Sequence, residues 1–197
     1  MPGNKKTDHK IRIIGGDWRG RRLPVPNIEG LRPTGDRIRE TLFNWLMADV
    51  AGAHCLDLFA GTGALGLEAL SRGAATVTFV EKHPQATKVL SANLNNLQAT
   101  NGKLVNQDAC RWLDDAVPKP PYDIIFLDPP FAANLWQPVL DTLAACHLLQ
   151  PGGLVYIEQP KRVQVQLPDG WQQLKHKTTG QVSCSLVTSP NIESSSD

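Results

Sequence analysis

Hydrophobic positions beyond residue 36 follow two alternating patterns: short apolar runs, and longer stretches in which apolar residues recur every three or four positions. The short runs predict buried strands, and the periodic stretches predict helices with one buried face. The first such helix is predicted to begin at Asp36, after the start signal Pro33-Thr34. The apolar residues that gather on its face are Ile38, Leu42, Phe43, Leu46 and Met47.

Strands and helices then alternate. The predicted strands are His54 to Leu58, Thr76 to Val80, Lys103 to Gln107, Tyr122 to Leu127 and Leu154 to Glu158. The predicted helices are Ala64 to Ser71, Pro84 to Leu97, Ala109 to Leu113 and Leu135 to Cys146. Two further strands, Trp171 to Lys177 and Gln181 to Thr188, have no helix between them and should pair antiparallel at the sheet edge. This order predicts an α/β fold: a mostly parallel seven-stranded sheet with helices on both faces.

Composition adds few constraints. The chain has 197 residues and is 41% hydrophobic, enough for one domain with a single core. No apolar run approaches the roughly 20 residues that cross a bilayer, and residues 1–10 are too polar for a signal peptide, so we expect a cytoplasmic protein. Cysteines 55, 110, 146 and 184 form no C-x-x-C pair and the histidines no paired spacing; we expect buried, reduced thiols and no metal. With no unpartnered apolar stripe, we expect a monomer.

Charge is distributed unevenly. Residues 1–39 hold ten Lys and Arg against four acids, whereas the whole chain carries a net charge of only +1. We therefore divide the chain into a basic extension (1–35) suited to binding RNA phosphates, a main α/β domain (36–188) and a frayed tail (189–197). Apolar residues within 11–16 favour a small hairpin over a solvated tail. The candidate phosphate contacts are Arg12, Arg19, Arg21, Arg22, Arg32, Arg37 and Arg39, of which the last three could instead brace the active-site mouth or pair with acids.

A glycine turn follows the first strand of the body, in Asp57-Leu-Phe-Ala-Gly61-Thr-Gly63. Gly61, Gly63 and Gly66 also satisfy G-x-G-x-x-G, with an acid 20 residues later, so a dinucleotide site is a competing hypothesis. The Asp57 carboxylate, expected to face the loop, would repel a pyrophosphate but attract the cationic S-adenosyl-L-methionine. The candidate cofactor-binding residues are Asp57, Phe59, Gly61, Gly63, Glu81 for the ribose hydroxyls and Asp108 for the adenine amine.

The fourth strand ends in the second motif, Asp128-Pro129-Pro130-Phe131, which we assign as catalytic. Two prolines remove amide donors and hold the chain extended, so Asp128 and a carbonyl beside Pro129 could accept both N–H groups of a planar amine. Phe131 would stack on the base, an interaction of about 1–3 kcal/mol. Together the motifs predict methyl transfer to the exocyclic amine of a nucleobase, without a metal.

These motifs resemble the class I methyltransferases that use S-adenosylmethionine. The stretch Arg32-Pro-Thr-Gly-Asp-Arg-Ile-Arg-Glu-Thr-Leu-Phe-Asn-Trp-Leu46, combined with both motifs, resembles the RsmD family more narrowly. That resemblance implies the class I fold and methylation of the 2-amino group of one guanine in 16S rRNA, within assembled small subunits. It also implies that the basic extension reaches into RNA. The choice of guanine depends on the resemblance alone.

Three other functions are compatible with parts of the pattern. A DNA adenine or cytosine amino-methyltransferase would use the same clamp, although the chain leaves little room for a target-recognition segment. A dehydrogenase would use the glycine turn with a nicotinamide cofactor. A non-catalytic RNA-binding or assembly module would have no need of an amine clamp.

Overall fold

The computed structural model describes residues 10–28, 34–115 and 121–191. The strands are β1 (Lys10–Arg12), β2 (Arg22–Pro24), β3 (His54–Asp57), β4 (Thr76–Val80), β5 (Gly102–Val105), β6 (Tyr122–Leu127), β7 (Leu149–Pro160), β8 (Gln172–Thr179) and β9 (Val182–Thr188). The helices are α1 (Asp36–Trp45), α2 (Ala64–Ser71), α3 (Pro84–Leu97), α4 (Ala109–Asp115) and α5 (Trp136–Ala145). Strands β4 and β6 and helices α2 and α3 have the predicted bounds.

The main sheet has seven strands in the order β5-β4-β3-β6-β7-β9-β8. Strands β3 to β7 are parallel, whereas β9 runs antiparallel to both of its neighbours. The chain therefore builds outward from β3 in one direction and from β6 in the other. A ligand crevice forms at such a switch point, beyond the carboxyl ends of the two central strands. The predicted fold class is confirmed, and β9 proves to lie inside β8 rather than at the edge.

Helices cover both faces of the sheet. One hydrophobic cluster joins α1, α2 and α3 to one face, and a second joins α4 and α5 to the other. The central strands contribute alternate residues to the two clusters: Phe126 packs on the first side and Leu127 on the second. Their almost continuous apolar sequences follow from this burial on both faces.

The short hairpin of β1 and β2 packs against the body. Ile11, Ile13 and Leu23 are buried in the cluster that contains α1 and α2. The Glu68 carboxylate of α2 accepts hydrogen bonds from the backbone N–H groups of Ile14 and Gly15, both at 2.8 Å. The hairpin is therefore held in a defined position on α2.

Several predicted details differ from the structure. Helix α1 ends at Trp45, so Met47 lies in the following turn and is 76% exposed instead of facing the core. The helix begins at Asp36 as predicted, with Gly35 as its N-cap. Strand β5 ends at Val105, and β7 starts at Leu149. The thiol of Cys146 is exposed, contrary to expectation.

Some predictions lie outside the described residues: those on residues 1–9, on Arg32 and Pro33, and on the tail from residue 192 onward. Within the described ranges, no helix is long and apolar enough to cross a membrane.

Candidate functional site

The glycine turn lies at the carboxyl end of β3, where it leads into α2. Gly61 and Gly63 adopt positive φ angles of 51° and 76°. A Cβ at Gly63 would lie 2.4 Å from Cδ1 of Leu90, and one at Gly66 would lie 2.2 Å from the Phe79 ring. The first two glycines are therefore needed for the backbone conformation, and the third lets α2 approach the sheet closely.

Glu81 links the glycine turn to the loop that follows β4. Its Oε2 accepts a hydrogen bond from the Gly61 N–H at 2.7 Å, and its Oε1 accepts one from the His83 N–H at 2.7 Å. The carboxylate follows β4 and is half-buried. It therefore holds two loops together while presenting its remaining lone pairs at the crevice.

Asp57 is buried at the carboxyl end of β3, next to the turn. The residue is 3% exposed, and its Oδ2 accepts a hydrogen bond of 2.9 Å from the Gly66 N–H in the first turn of α2. Burial raises the pKa of Asp57 to about 7; the Gly66 N–H opposes this shift and the nearby Glu81 carboxylate adds to it. Asp57 thus supports the start of α2 from below.

Asp108 occupies the corresponding place after β5. Its Oδ1 accepts a hydrogen bond from the Cys110 N–H at 3.1 Å, and its Oδ2 lies 3.7 Å from Nζ of Lys82. The carboxylate therefore caps α4 and stays partly exposed at the crevice. Phe59 is half-buried against the cluster that contains α4 and α5.

Asp128 follows β6 directly and lies one strand away from the glycine turn. Its Oδ2 accepts a hydrogen bond of 3.3 Å from Oγ1 of Thr34, just before α1. Burial raises the pKa of Asp128 well above its usual range, the carboxylates of Glu158 and Asp57 raise it further, and the Thr34 bond opposes the shift. Pro129 is buried and Pro130 is exposed.

Glu158, which sequence reasoning missed, lies beside Asp128. Leu127 pairs with Ile157 in the parallel ladder of β6 and β7, so the two acids that follow are neighbours. Glu158 is 5% exposed, and its Oε2 accepts a hydrogen bond of 2.8 Å from the Tyr156 hydroxyl. Burial raises its pKa. The one available signal was an acid at the end of an apolar run.

Phe131 lies beyond the carboxyl end of β6 and is 45% exposed. Its ring centroid is 6.0 Å from that of Trp136, and the two planes are tilted by 53°. Trp136 is buried, and its Nε1 donates a hydrogen bond of 2.7 Å to the carbonyl of Glu158. The exposed ring is thus supported from one side by a fixed indole.

The predicted basic contacts separate into two groups. Arg19, Arg21, Arg22 and Arg37 are exposed. Arg12 is also exposed, with Nη2 lying 3.6 Å from Oδ2 of Asp36. These five side chains are solvent-exposed, so their predicted contact with nucleic acid stays a prediction.

Arg39 is buried, so its predicted contact with nucleic acid is wrong and the alternative, pairing with acids, is confirmed. It is 1% exposed, and its guanidinium lies 2.6 Å from Asp36 and 3.4 Å from Glu68. It also donates to the carbonyls of Arg12 and Thr34. Arg39 therefore joins the hairpin, α1 and α2, and holds the backbone of the residue that contacts Asp128.

Cation sites need clustered ligands. Among the residues that the structure describes, no group of three or more His, Cys, Asp and Glu side chains could hold a metal ion.

Comparison with known proteins places the chain beside ribosomal RNA methyltransferases. Residues 11–188 match the family described as conserved hypothetical protein 95. The chain is 46% identical to ribosomal RNA small subunit methyltransferase D of Haemophilus influenzae and 45% identical to that of Escherichia coli, covering 90% and 92% of this chain and 93% of each relative. An Escherichia coli structure whose description proposes a methyltransferase superposes with a TM-score of 0.85 at 42% identity, covering 92% of this chain and 99% of that one.

Proposed function

The chain belongs to the family described as conserved hypothetical protein 95, which includes ribosomal RNA small subunit methyltransferase D, and from this premise we propose its detailed reaction. It methylates ribosomal RNA. The reaction we propose transfers a methyl group from S-adenosyl-L-methionine to the exocyclic 2-amino group of one guanine in 16S rRNA. We infer that the substrate is the assembled small subunit and that the protein acts as a cytoplasmic monomer without a metal.

The residues around the glycine turn fit the methyl donor. Glu81 and Asp108 follow the adjacent strands β4 and β5, and the glycine turn follows β3, the next strand along from β4. Side chains at Gly63 and Gly66 would collide with Leu90 and Phe79. Acids at these positions suit ribose hydroxyls and an adenine amine, whereas a pyrophosphate would need donors and positive charge. When bound, S-adenosyl-L-methionine supplies an electrophilic methyl group on a positively charged sulfur. In this arrangement Asp57 acts indirectly, by holding α2 and the turn in place.

Asp128 is the acceptor for the amine. The lone pair of an exocyclic amine is delocalised into the ring, so the amine needs both N–H groups held to become a useful nucleophile. The Asp128 carboxylate and the carbonyl beside Pro129 supply two acceptors at fixed positions. The exposed face of Phe131 offers a surface on which a flipped base can stack.

Asp128 also has the electrostatic properties that the reaction needs. Positive charge develops on the amine nitrogen as it is alkylated, and a carboxylate beside it stabilises that charge. Because burial and Glu158 raise the pKa of Asp128, this carboxylate is a stronger base than one on the surface. It is therefore suited to accept the proton that the methylated amine must release.

The single observation that carries this proposal is the position of Asp128-Pro129-Pro130-Phe131 on β6, directly beside the glycine turn on β3. A nucleobase amine and a methyl donor bound at these two places meet at the switch point of the sheet. The same observation favours an enzyme over a non-catalytic module. The rRNA methyltransferases among the relatives argue against both the DNA enzyme and the dehydrogenase.

The test is transfer of labelled methyl from S-adenosyl-L-methionine to unmodified small subunits, naked 16S rRNA and duplex DNA, followed by nucleoside identification. We expect 2-methylguanosine from the subunits. Label in DNA would support the DNA enzyme. No label in any substrate, despite tight binding of S-adenosylhomocysteine, would support the non-catalytic module.

A further inference from the structure

The end of the chain carries a second basic region. Between residues 159 and 191 there are four Lys and Arg, namely Lys161, Arg162, Lys175 and Lys177, against the single acid Asp169. All four cations are exposed, and none forms an ion pair with an acid in the described part of the chain. Residues 159–191 are therefore locally basic, although the chain beyond residue 39 has a net negative charge.

Lys161 and Arg162 lie on the catalytic edge of the sheet. They follow Pro160, the last residue of β7, and the Lys161 N–H donates to the carbonyl of Gln181 in the turn between β8 and β9 at 2.8 Å. Glu158, beside Asp128, comes three residues before Lys161. At about 3.3 Å per residue, Lys161 lies roughly 10 Å beyond the clamp in the strand direction.

Lys175 and Lys177 continue this surface across β8. Lys177 pairs with Cys184, which pairs in turn with Glu158, so Lys177 lies in the same row of the sheet as the clamp. Its Nζ donates to Oγ1 of Thr41 on α1 at 3.0 Å. Lys175 lies two residues earlier, on the same side of the strand.

The hairpin and this surface lie on different sides of the clamp. The hairpin packs on α2 and α3, which cover β3 and β4, whereas β8 is the opposite edge strand of the sheet. Phosphate contacts fix the position of a nucleic acid on a protein, so contacts on both sides of a flipped base would hold the backbone in place around it. Lysines on an edge strand also discourage strand pairing, but this role does not account for Lys161 and Arg162, which lie outside the strand.

We propose that Lys161, Arg162, Lys175 and Lys177 form a second phosphate-binding surface, which holds the rRNA backbone across the clamp from the hairpin arginines. This proposal rests on the proposed function, since it assigns a further part of the same substrate. RNA is the partner that the surface fits, because the four cations are exposed and unpaired with described acids and follow the catalytic edge.

The test compares two double variants, Lys161→Gln with Arg162→Gln and Lys175→Gln with Lys177→Gln. The matched control is Lys88→Gln with Lys103→Gln, which removes two exposed cations from α3 and from β5 at the other sheet edge. Equilibrium binding of unmodified naked 16S rRNA and of assembled small subunits is measured at several salt concentrations. Affinity for S-adenosylhomocysteine and melting temperature establish that each variant is folded.

Each double variant of the surface should bind 16S rRNA roughly tenfold more weakly than wild type. The slope of log affinity against log salt concentration should be about 1.5 less steep, since each lost phosphate contact reduces that slope by about 0.7–0.9. The control should keep wild-type affinity and slope. Wild-type slope and affinity in both surface variants would overturn the proposal. So would weaker binding to assembled subunits alone, because that result indicates a protein partner.

Binding is measured without turnover, so the two proposals can fail separately. If wild-type protein binds 16S rRNA but transfers no methyl group, the proposed reaction is wrong while the surface is still tested by the salt slope.

Discussion

The donor and acceptor halves of the crevice use the same residue types in different ways. On the donor side, Asp57, Glu81 and Asp108 each accept hydrogen bonds from backbone N–H groups of the loops around them. On the acceptor side, Asp128 and Glu158 are close enough to repel each other, and each accepts one bond from a hydroxyl. Acids of the first kind fix loops, whereas Asp128 accepts a single hydrogen bond from Thr34 and, in the reaction proposed above, also accepts from the substrate amine.

This difference teaches that position at a strand end does not by itself assign a carboxylate its role. The local supply of N–H donors decides it. Where a helix start or glycine turn provides donors, the acid becomes part of the scaffold. After β6, prolines at 129 and 130 remove the donors that would otherwise occupy Asp128. The predictions below test this division.

The largest effect is expected for Asp128→Ala. Loss of the acceptor and base should lower the methyl-transfer rate at saturating substrates by about 10²–10⁴-fold. Affinity for S-adenosylhomocysteine, measured by calorimetry, should stay within about twofold of wild type. Comparable loss of donor binding and turnover would instead assign Asp128 a structural role.

Asp57→Asn should change the pH dependence of stability. Because the folded pKa of about 7 exceeds the unfolded value, Asp57 binds its proton more tightly in the folded state, and its contribution is lost as pH rises. Between pH 5 and pH 8 the loss of this contribution should lower the free energy of unfolding of the wild type by about 3 kcal/mol, since one pKa unit corresponds to about 1.4 kcal/mol.

Urea unfolding of Asp57→Asn across that pH window should therefore show a shallower decline than wild type, since an asparagine oxygen can still accept from Gly66. Parallel curves for the two proteins would show that Asp57 is ionised in the folded state throughout.

Glu81→Ala should affect donor binding more than turnover, the opposite of Asp128→Ala. Removing a charged acceptor should weaken donor binding by about 10–100-fold, with turnover at saturating donor changed only a few-fold. Glu40→Ala, at an exposed acid on α1, is the matched control and should bind donor as wild type does. A large fall in turnover with unchanged donor affinity would show that Glu81 does not bind the methyl donor.

The smallest effects are expected at the two neighbours of Asp128, and they should be opposite in sign. Glu158→Gln removes a repelling charge, so the pKa of Asp128 should fall and the acidic limb of the pH–rate profile should move to lower pH. Thr34→Val removes a hydrogen bond to the carboxylate and should move that limb to higher pH. Shifts in the same direction would show that the limb does not report Asp128.

Prediction from sequence succeeded where the signal is local. Helix α3 begins at Pro84 and follows an uninterrupted periodic pattern, and both of its ends were predicted. The clamp and the glycine turn were found because turn residues stand directly after apolar strands. Met47 was misplaced because the periodic pattern continues past Trp45, where the helix stops.

Prediction failed where a side chain depends on a distant partner. The sequence leaves Arg39 between a contact with nucleic acid and a pair with acids, because its buried partner Glu68 lies on a different helix. Glu158 was missed because its proximity to Asp128 follows from the register of β6 against β7. The basic surface on Lys161 and Lys177 was hidden for the same reason.

The order of strands and helices, the glycine turn and the Asp128-Pro129-Pro130-Phe131 turn after β6 were determined by the sequence alone, because each depends on neighbouring residues and backbone chemistry. Only the tertiary structure decided which acids are fastened by N–H donors and which arginines are buried. It also decided which charges share the catalytic edge. Burial and electrostatic interaction depend on distances in space, and a chain folded through parallel crossovers brings together residues far apart in sequence.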